Sequence, residues 1–83
     1  MNRITLALTT VLSLVISPVK SQDYTKGLAA AEGGDFATAL NEWRPLAVAG
    51  NAATQFNVGF LYKRGLGVSQ DYKEAVKWYL LSA

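Results

Sequence analysis

The stretch YKRGLGVSQDYKEAVKWY, residues 62–79, contains the two glycines on which the choice of fold depends. Glycines with this spacing occur in phosphate-binding loops, in hairpin turns and at corners between two helices. A phosphate-binding loop would follow a strand and would lead directly into a basic residue or a helix, whereas here helical spacing precedes the glycines and no such lysine follows. Gly65 can instead close a helix in the left-handed conformation, and Asp71 can begin the next one. We therefore predict that residues 66–70 turn the chain between two helices, with Val68 covering the helix ends.

Apolar residues repeat with helical spacing on both sides of this corner. On the N-terminal side, Ala53, Phe56 and Phe60 lie at positions i, i+3 and i+7. On the C-terminal side, the apolar stripe consists of Tyr72, Ala75, Val76 and Tyr79. Asp71 and Glu74 have the spacing of a capping box, so we expect the Glu74 side chain to accept a hydrogen bond from the Asp71 N–H.

The sequence contains two copies of the same helical unit. DFATALNEWRPLA, residues 35–47, aligns with DYKEAVKWYLLSA, residues 71–83, at a shift of 36, and the segments before them align at a shift of 32. Repeats of this length indicate stacked helix pairs. We predict an all-α chain with helices at about residues 24–32, 36–49, 52–64 and 72–82. Asp35 and Asn51 are candidate N-caps, and Pro45, which cannot donate to the Asn41 carbonyl, should kink or shorten the second helix.

The first 21 residues have the pattern of a secretory signal peptide. A short basic start is followed by 13 mostly apolar residues, 4–16, and then by small residues at Val19 and Ser21. We predict a signal peptide at residues 1–21, cleaved after Ser21, and hence a periplasmic or secreted protein. The alternative is a membrane-anchored helical hairpin that retains the apolar segment, although a spanning helix needs about 20 apolar residues.

The charge of the chain argues against nucleic acid as a partner. The net charge of +2 comes from Arg3 and Lys20, both within the predicted signal peptide, so the remaining residues are formally neutral. A neutral chain has no broad field that would attract phosphates or anionic lipids. We therefore expect no nucleic-acid binding, and membrane contact only through an uncleaved signal segment.

The side chains that most enzymes and metal sites use are missing. The sequence has no cysteine and no histidine, which removes thiol and imidazole chemistry and the usual zinc ligands. Asp35, Asp71 and Glu74 are interpreted as helix caps rather than as acids or bases. We expect no catalytic, cofactor-binding or metal-binding residue, and we do not expect an enzyme.

Residues 51–83, NAATQFNVGFLYKRGLGVSQDYKEAVKWYLLSA, resemble a Sel1-like repeat of the short exported bacterial type, a relative of the tetratricopeptide repeat. The matching positions are Ala52, Gln55, Gly59, Tyr62, Gly65, Gly67, Val68, Asp71, Ala75, Trp78 and Ala83. Residues 22–50 are similar to a tetratricopeptide hairpin without the four-residue insertion of the second unit. The resemblance implies an α/α solenoid of two helix-turn-helix repeats that follows the signal segment and serves as an adaptor or scaffold for another protein.

The resemblance also implies which residues pack the repeat and which meet a partner. The structural repeat positions would be Gly59, Tyr62, Gly65, Gly67, Asp71, Ala75 and Trp78. The first helix of each pair lines the concave face in such solenoids, which would give a partner-binding face of Ala53, Phe56, Phe60 and Lys63. The alternative is that Phe56 and Phe60 only pack against the neighbouring helix.

The last residues, KWYLLSA, leave Leu80 and Leu81 without a polar capping helix after them. Solenoid ends are normally capped, and about three repeats are usual. We therefore expect either that the array is truncated at its C-terminus, or that the open last helix pairs with a partner or with a second copy of the chain.

Overall fold

The fold is a row of four helices, seen in a computed structural model that describes residues 19–83, with side chains from Asp23 onward. The helices are α1 (Val19–Glu32), α2 (Phe36–Val48), α3 (Ala52–Arg64) and α4 (Tyr72–Ser82). Each helix packs on the next one along the chain, and residues 19–83 contain no strand. The predicted fold class, an α/α solenoid of two helix-turn-helix units, is confirmed for this part of the chain.

The helix boundaries agree with the predicted ones to within one residue except at the start of α1. This helix begins at Val19 rather than near residue 24 and so includes the last three residues of the predicted signal peptide. The rest of that predicted segment, residues 1–18, lies outside the described residues. None of the described helices is long and apolar enough to cross a membrane.

Pro45 lies inside α2 without ending it, so of the two predicted effects, a kink or a shorter helix, the second does not occur. The proline removes one hydrogen bond to the Asn41 carbonyl. Asn41 and Pro45 are both exposed, and water can therefore hydrogen-bond to that carbonyl at little cost.

Side chains and one glycine define the helix ends as the sequence predicts. Asp35, Asn51 and Asp71 are the N-caps of α2, α3 and α4, and each accepts a hydrogen bond from a backbone N–H three residues later. Gly65 ends α3 in the left-handed conformation, with φ 67° and ψ 40°, and its N–H donates to the Leu61 carbonyl.

The predicted capping box at the start of α4 is only half formed. The Asp71 carboxylate accepts from the Glu74 N–H at 3.1 Å, but the Asp71 N–H donates to the Tyr62 carbonyl at 2.9 Å and not to Glu74. The Glu74 carboxylate pairs instead with Lys77 at 3.0 Å. The prediction for Glu74 was therefore wrong, because the Asp71 N–H is used to tie the start of α4 to the end of α3.

Residues 66–70 turn the chain between α3 and α4, as predicted. Leu66 and Val68 are partly buried against the core, and the Gln70 side chain donates to the Lys63 carbonyl at 2.9 Å. Gly67, with φ 71°, brings this corner against the backbone at the start of α2. The corner thus packs on the preceding unit as well as joining its own two helices.

The core lies between the two units, with α2 in the middle. Its buried members are Ala39, Leu40, Trp43, Leu46 and Ala47 from α2, Val58 and Leu61 from α3, and Trp78 from α4. Because α2 supplies most of these side chains and packs against both α1 and α3, removal of their apolar surface from water is the main contribution that holds the two units together.

The two units are equivalent in three dimensions as well as in sequence. In the first, the rings of Tyr24 and Trp43 stack with their centroids 5.9 Å apart. In the second, Phe56 and Tyr79 meet at 5.3 Å. Tyr24 aligns with Phe56 and Trp43 with Tyr79 at the shifts found in the sequence, so the same aromatic contact joins the first and second helix of each unit.

Candidate partner-binding surface

The structure has a narrow cleft where the first unit meets α3. This inner cleft has a volume of about 160 Å³ and is lined by Ala31, Phe36, Trp43, Asn57, Phe60 and Leu61. Three of these residues belong to α3, which therefore forms one side of the cleft, while α1 and α2 supply the other residues.

A wider groove lies one unit further along the chain, between α3 and α4. This α3–α4 groove has a volume of about 530 Å³ and is lined by Phe56, Phe60, Lys63, Tyr79, Ser82 and Ala83. It therefore brings together Phe56, Phe60 and Lys63 of the predicted concave face. Ala53, the fourth residue of that set, is exposed near the start of α3 and does not line the groove.

The two groove phenylalanines contact neighbours and still remain accessible. Phe56 packs on Tyr79 and is 54% exposed. Phe60 is 38% exposed, and the Arg64 guanidinium lies 5.6 Å from the centre of its ring. Each ring thus keeps a solvent-exposed portion that is open to a partner.

The outer side of α4 exposes large apolar side chains together with Lys73 and Lys77. Its exposed large apolar residues are Tyr72, Val76, Leu80 and Leu81. Val76 is 54% exposed, whereas Leu40, which aligns with it in α2, is only 4% exposed. This difference arises because α3 packs on α2, while no described helix packs on the corresponding side of α4. At Val76, α4 thus leaves exposed a position that α2 keeps buried, whereas Leu80 and Leu81 align with Arg44 and Pro45, which are exposed in α2 as well.

Charged groups contribute little to this surface. Lys63 is the charged residue among those lining the α3–α4 groove. The Lys77–Glu74 pair on α4 joins an exposed lysine to a partly buried glutamate at the protein surface, and surface pairs contribute little to stability. The described residues contain no group of histidine, cysteine or carboxylate side chains that could hold a metal ion.

One carboxyl group has a clearly shifted pKa, and it lies at the N-terminus of α2. Hydrogen bonds from the Thr38 side chain and then from its backbone N–H lower the pKa of Asp35. The carboxylate is fully exposed and caps α2. Its shifted pKa therefore reflects its capping role.

The predicted structural repeat positions lie at helix contacts and corners. Gly59 is buried against the Tyr79 ring, and the Tyr62 hydroxyl accepts from the Arg44 guanidinium at 3.1 Å. The other members of the set are Gly65 and Gly67 at the corner, Asp71 at the N-cap of α4, and Ala75 and Trp78, buried in α4.

Sequence reasoning missed the roles of two residues, one buried beside the core and one at the groove. Gln55 entered only as a position in a pattern, yet it is buried and donates to the Ala47 carbonyl at 3.0 Å. Tyr79 was assigned to packing, although it also lines the groove. Its alignment with Trp43, which lines the inner cleft, was the signal that could have indicated the second role.

Comparison with known proteins agrees with the repeat seen in the structure. Residues 52–83 match the family model described as Sel1 repeat. This range contains α3, the corner and α4, and it therefore supplies every residue that lines the α3–α4 groove. No curated protein and no solved structure matches the chain.

Proposed function

Residues 52–83 form a Sel1 repeat, and from this we propose that the chain is an exported, non-catalytic adaptor that binds another protein through the α3–α4 groove. Sel1 repeats are protein-interaction modules. The observation that carries the proposal is the groove itself, an open space of about 530 Å³ that the aromatic rings of Phe56, Phe60 and Tyr79 line.

The chemistry of the groove suits an apolar partner segment. Aromatic side chains that become desolvated often dominate the binding energy of protein interfaces, and each square ångström of apolar surface removed from water contributes about 25 cal/mol. Phe56 rests on Tyr79, which lies against Gly59. Because this packing holds the rings in place, less side-chain freedom is lost on binding. Lys63 at the groove favours an acidic residue on the partner.

As part of the same proposal, a cleaved signal peptide at residues 1–21 directs export of the chain to the periplasm or the medium. The sequence pattern of this segment supports it. The Trp43 side chain bonds to the Tyr24 carbonyl at 3.1 Å, so this link between α1 and α2 would remain after cleavage behind Ser21. The units left would be residues 22–50 and 51–83. N-terminal sequencing of the exported protein tests this, and an N-terminus at Met1 would favour the membrane-anchored alternative.

Site-specific photo-cross-linking in cells tests the binding surface. A photoreactive amino acid would replace Phe60 in the groove or, as the control, Val48, which is 72% exposed at the end of α2. We expect a discrete protein adduct from position 60 that is absent from position 48 and that is lost when Phe56→Glu is added. Identical adducts from both positions, or none from position 60, would contradict the proposal.

A further inference from the structure

We infer that the inner cleft receives one phenyl-sized apolar side chain of the partner protein, from a segment that carries an acidic residue one or two positions away. The inference rests on the proposed function and specifies which side chains the protein selects. Phe60 lines both the inner cleft and the α3–α4 groove, so a segment that lies in the groove and passes over this ring reaches the cleft. The cleft itself lies within the row of helices, between α1, α2 and α3.

The cleft has a buried floor and an accessible rim. Its floor consists of Trp43 and Leu61, which are 4% and 2% exposed. The other lining residues are more exposed and form the rim: Ala31, Phe36, Asn57 and Phe60. A group that enters between the rim residues therefore contacts the indole of Trp43 and is removed from water.

The volume and the chemistry of the cleft favour a single aromatic ring. Its volume is about 160 Å³, and an apolar cavity of about 150 Å³ is enough to hold benzene. Three of the lining side chains, Phe36, Trp43 and Phe60, are themselves aromatic. Aromatic rings gain energy from edge-to-face or offset contacts in addition to the burial of their area. A phenylalanine side chain of the partner meets both conditions.

The walls of the cleft are held in place before a partner binds. The Trp43 indole N–H donates to the Tyr24 carbonyl at 3.1 Å, and the two rings stack. On the rim, the Arg64 guanidinium lies 5.6 Å from the centre of the Phe60 ring. Because little ordering of these walls is needed on binding, a single inserted side chain can contribute most of its burial energy to affinity.

Asn57 adds a polar group to the rim. It is the polar residue among those that line the cleft, and its amide has no hydrogen-bond partner among the residues that the structure describes. A side-chain amide both donates and accepts hydrogen bonds, so Asn57 can bond to the main chain of the partner beside the inserted ring. Mostly apolar walls with a polar group that fixes orientation are typical of small binding pockets.

Unpaired positive charge beside the cleft predicts the acidic residue. Lys63 and Arg64 are exposed one turn after Phe60, and within residues 23–83 the ion pair that forms is Lys77–Glu74, so no carboxylate there neutralises the two cations. An extended chain advances about 3.3 Å per residue, and Arg64 lies 5.6 Å from the Phe60 ring. A carboxylate one or two residues from the inserted ring would therefore reach these cations.

NMR titration of the purified protein with a short blocked peptide tests the cleft. The probe is acetyl-Gly-Ser-Phe-Asp-Ser-Gly-amide, and its control peptide carries Ala in place of Phe. We expect nuclear Overhauser effects between the phenyl protons of the probe and both the Trp43 indole and the Ala31 methyl group. We also expect the probe to bind at least about tenfold more tightly than the control peptide, because its ring is removed from water.

A filled cleft provides the matched variant. Ala31→Leu adds carbon atoms to the cleft without removing a lining side chain, and it should weaken binding of the probe at least about tenfold, to the level of the control peptide. Ala29→Leu makes the same change at an exposed position of the same helix and should alter binding less than about twofold. Circular dichroism checks that both variants fold, and the Overhauser effects in the original chain test the same contact without any substitution.

The acidic residue has its own test. A probe with Asn in place of Asp should bind about threefold more weakly at low ionic strength, and this difference should shrink as salt is added. Arg64→Gln should remove most of the difference. Lys73→Gln, an exposed position on α4, is the control and should leave it unchanged.

Three results would overturn the inference: equal affinity for the probe and the control peptide, equal effects of Ala31→Leu and Ala29→Leu, or Overhauser effects from the phenyl ring to Tyr79 but not to Trp43. The last result would leave the proposed function intact, since the α3–α4 groove would still bind an apolar side chain. Absence of the adduct from position 60 would contradict the proposed function whatever the peptide does, so the two failures are distinguishable.

Discussion

Gly27 packs directly against the indole ring of Trp43. A Cβ atom on Gly27 would lie 2.6 Å from Trp43 Cδ1, and one on Gly59 would lie 2.9 Å from Tyr79 Cδ1. These pairs align between the two units. The absence of a side chain on the first helix of each unit therefore allows a large aromatic ring of the second helix to lie against its backbone, and this contact is repeated along the solenoid.

Replacement of these glycines should destabilise the fold to different extents. Gly27→Ala forces the indole to move although Trp43 is buried and hydrogen-bonded to Tyr24, so we expect a loss of about 2–3 kcal/mol. Alanine regains about 1 kcal/mol of helix propensity at both positions, since both glycines lie inside helices, and Gly59→Ala displaces the more accessible Tyr79 ring. The net loss should be nearer 1 kcal/mol. Urea denaturation followed by circular dichroism measures both values.

Gly33→Ala is the control for this pair. A Cβ atom there would lie 3.6 Å from the nearest atoms, which is ordinary contact, so we expect a change within about 0.5 kcal/mol. If Gly27→Ala were as mild as Gly33→Ala, the close packing against Trp43 would not be a source of stability.

Gly67 is a second position where alanine should be poorly tolerated. Its φ is 71°, and a Cβ atom would lie 2.5 Å from backbone atoms of Phe36 and Ala37, which cannot rotate away. Gly34 has a φ of 84° with open space around it. In both variants the left-handed alanine should lower the free energy of unfolding by about 1 kcal/mol. The backbone clash in Gly67→Ala should lower it by about 1–3 kcal/mol more. Equal midpoints in urea for the two variants would disprove the contact between the corner and α2.

The stability of the fold should depend both on the hydrogen bond and on the charge of the side chain at buried position 55. Gln55→Leu removes the hydrogen bond to the Ala47 carbonyl, which also accepts from the Gly50 N–H, so we expect a loss of about 1 kcal/mol. Gln55→Glu places a carboxylate beside that carbonyl and should cost about 3 kcal/mol at neutral pH.

The pH dependence of these variants separates the two effects. Burial should raise the pKa of the new carboxyl at position 55, so the extra loss is expected above the usual pKa of glutamate, about 4.3, and should shrink at lower pH. Gln55→Leu should show no such recovery. Urea midpoints at several pH values provide the measurement, and a pH-independent difference between the two variants would contradict the role assigned to burial.

The local parts of the fold could be predicted from the sequence because they depend on residues a few positions apart. Asp35, Asn51 and Asp71 cap helices through bonds to the third residue after them, and Gly65 ends α3 by its own conformation. The prediction for Glu74 was wrong because the competing acceptor, the Tyr62 carbonyl, is nine residues away in the sequence.

The α3–α4 groove and the exposed side of α4 were harder to predict from the sequence, because they depend on which helices pack against one another. Periodicity places Phe56 and Phe60 on one side of α3, but it cannot show that Tyr79 completes a groove with them. The contrast between buried Leu40 and exposed Val76 is similarly invisible in the sequence, where both belong to the same apolar stripe. Only packing distinguishes the covered copy from the open one.

The N-cap of α2 should make stability depend on pH in the acid range. The hydrogen bonds from Thr38 lower the pKa of Asp35, so its contribution is fully present above the usual pKa of aspartate, about 3.9, and is lost as the pH falls through the lowered value. Asp35→Asn keeps a capping oxygen that does not titrate. We expect the advantage of the original chain over this variant in urea midpoint to shrink between about pH 5 and pH 2. Asn51→Asp is the converse control, since it adds a titrating cap to α3, and it should increase the acid-side loss. An advantage over Asp35→Asn that stayed constant across this range would show that the carboxylate does not contribute through its charge.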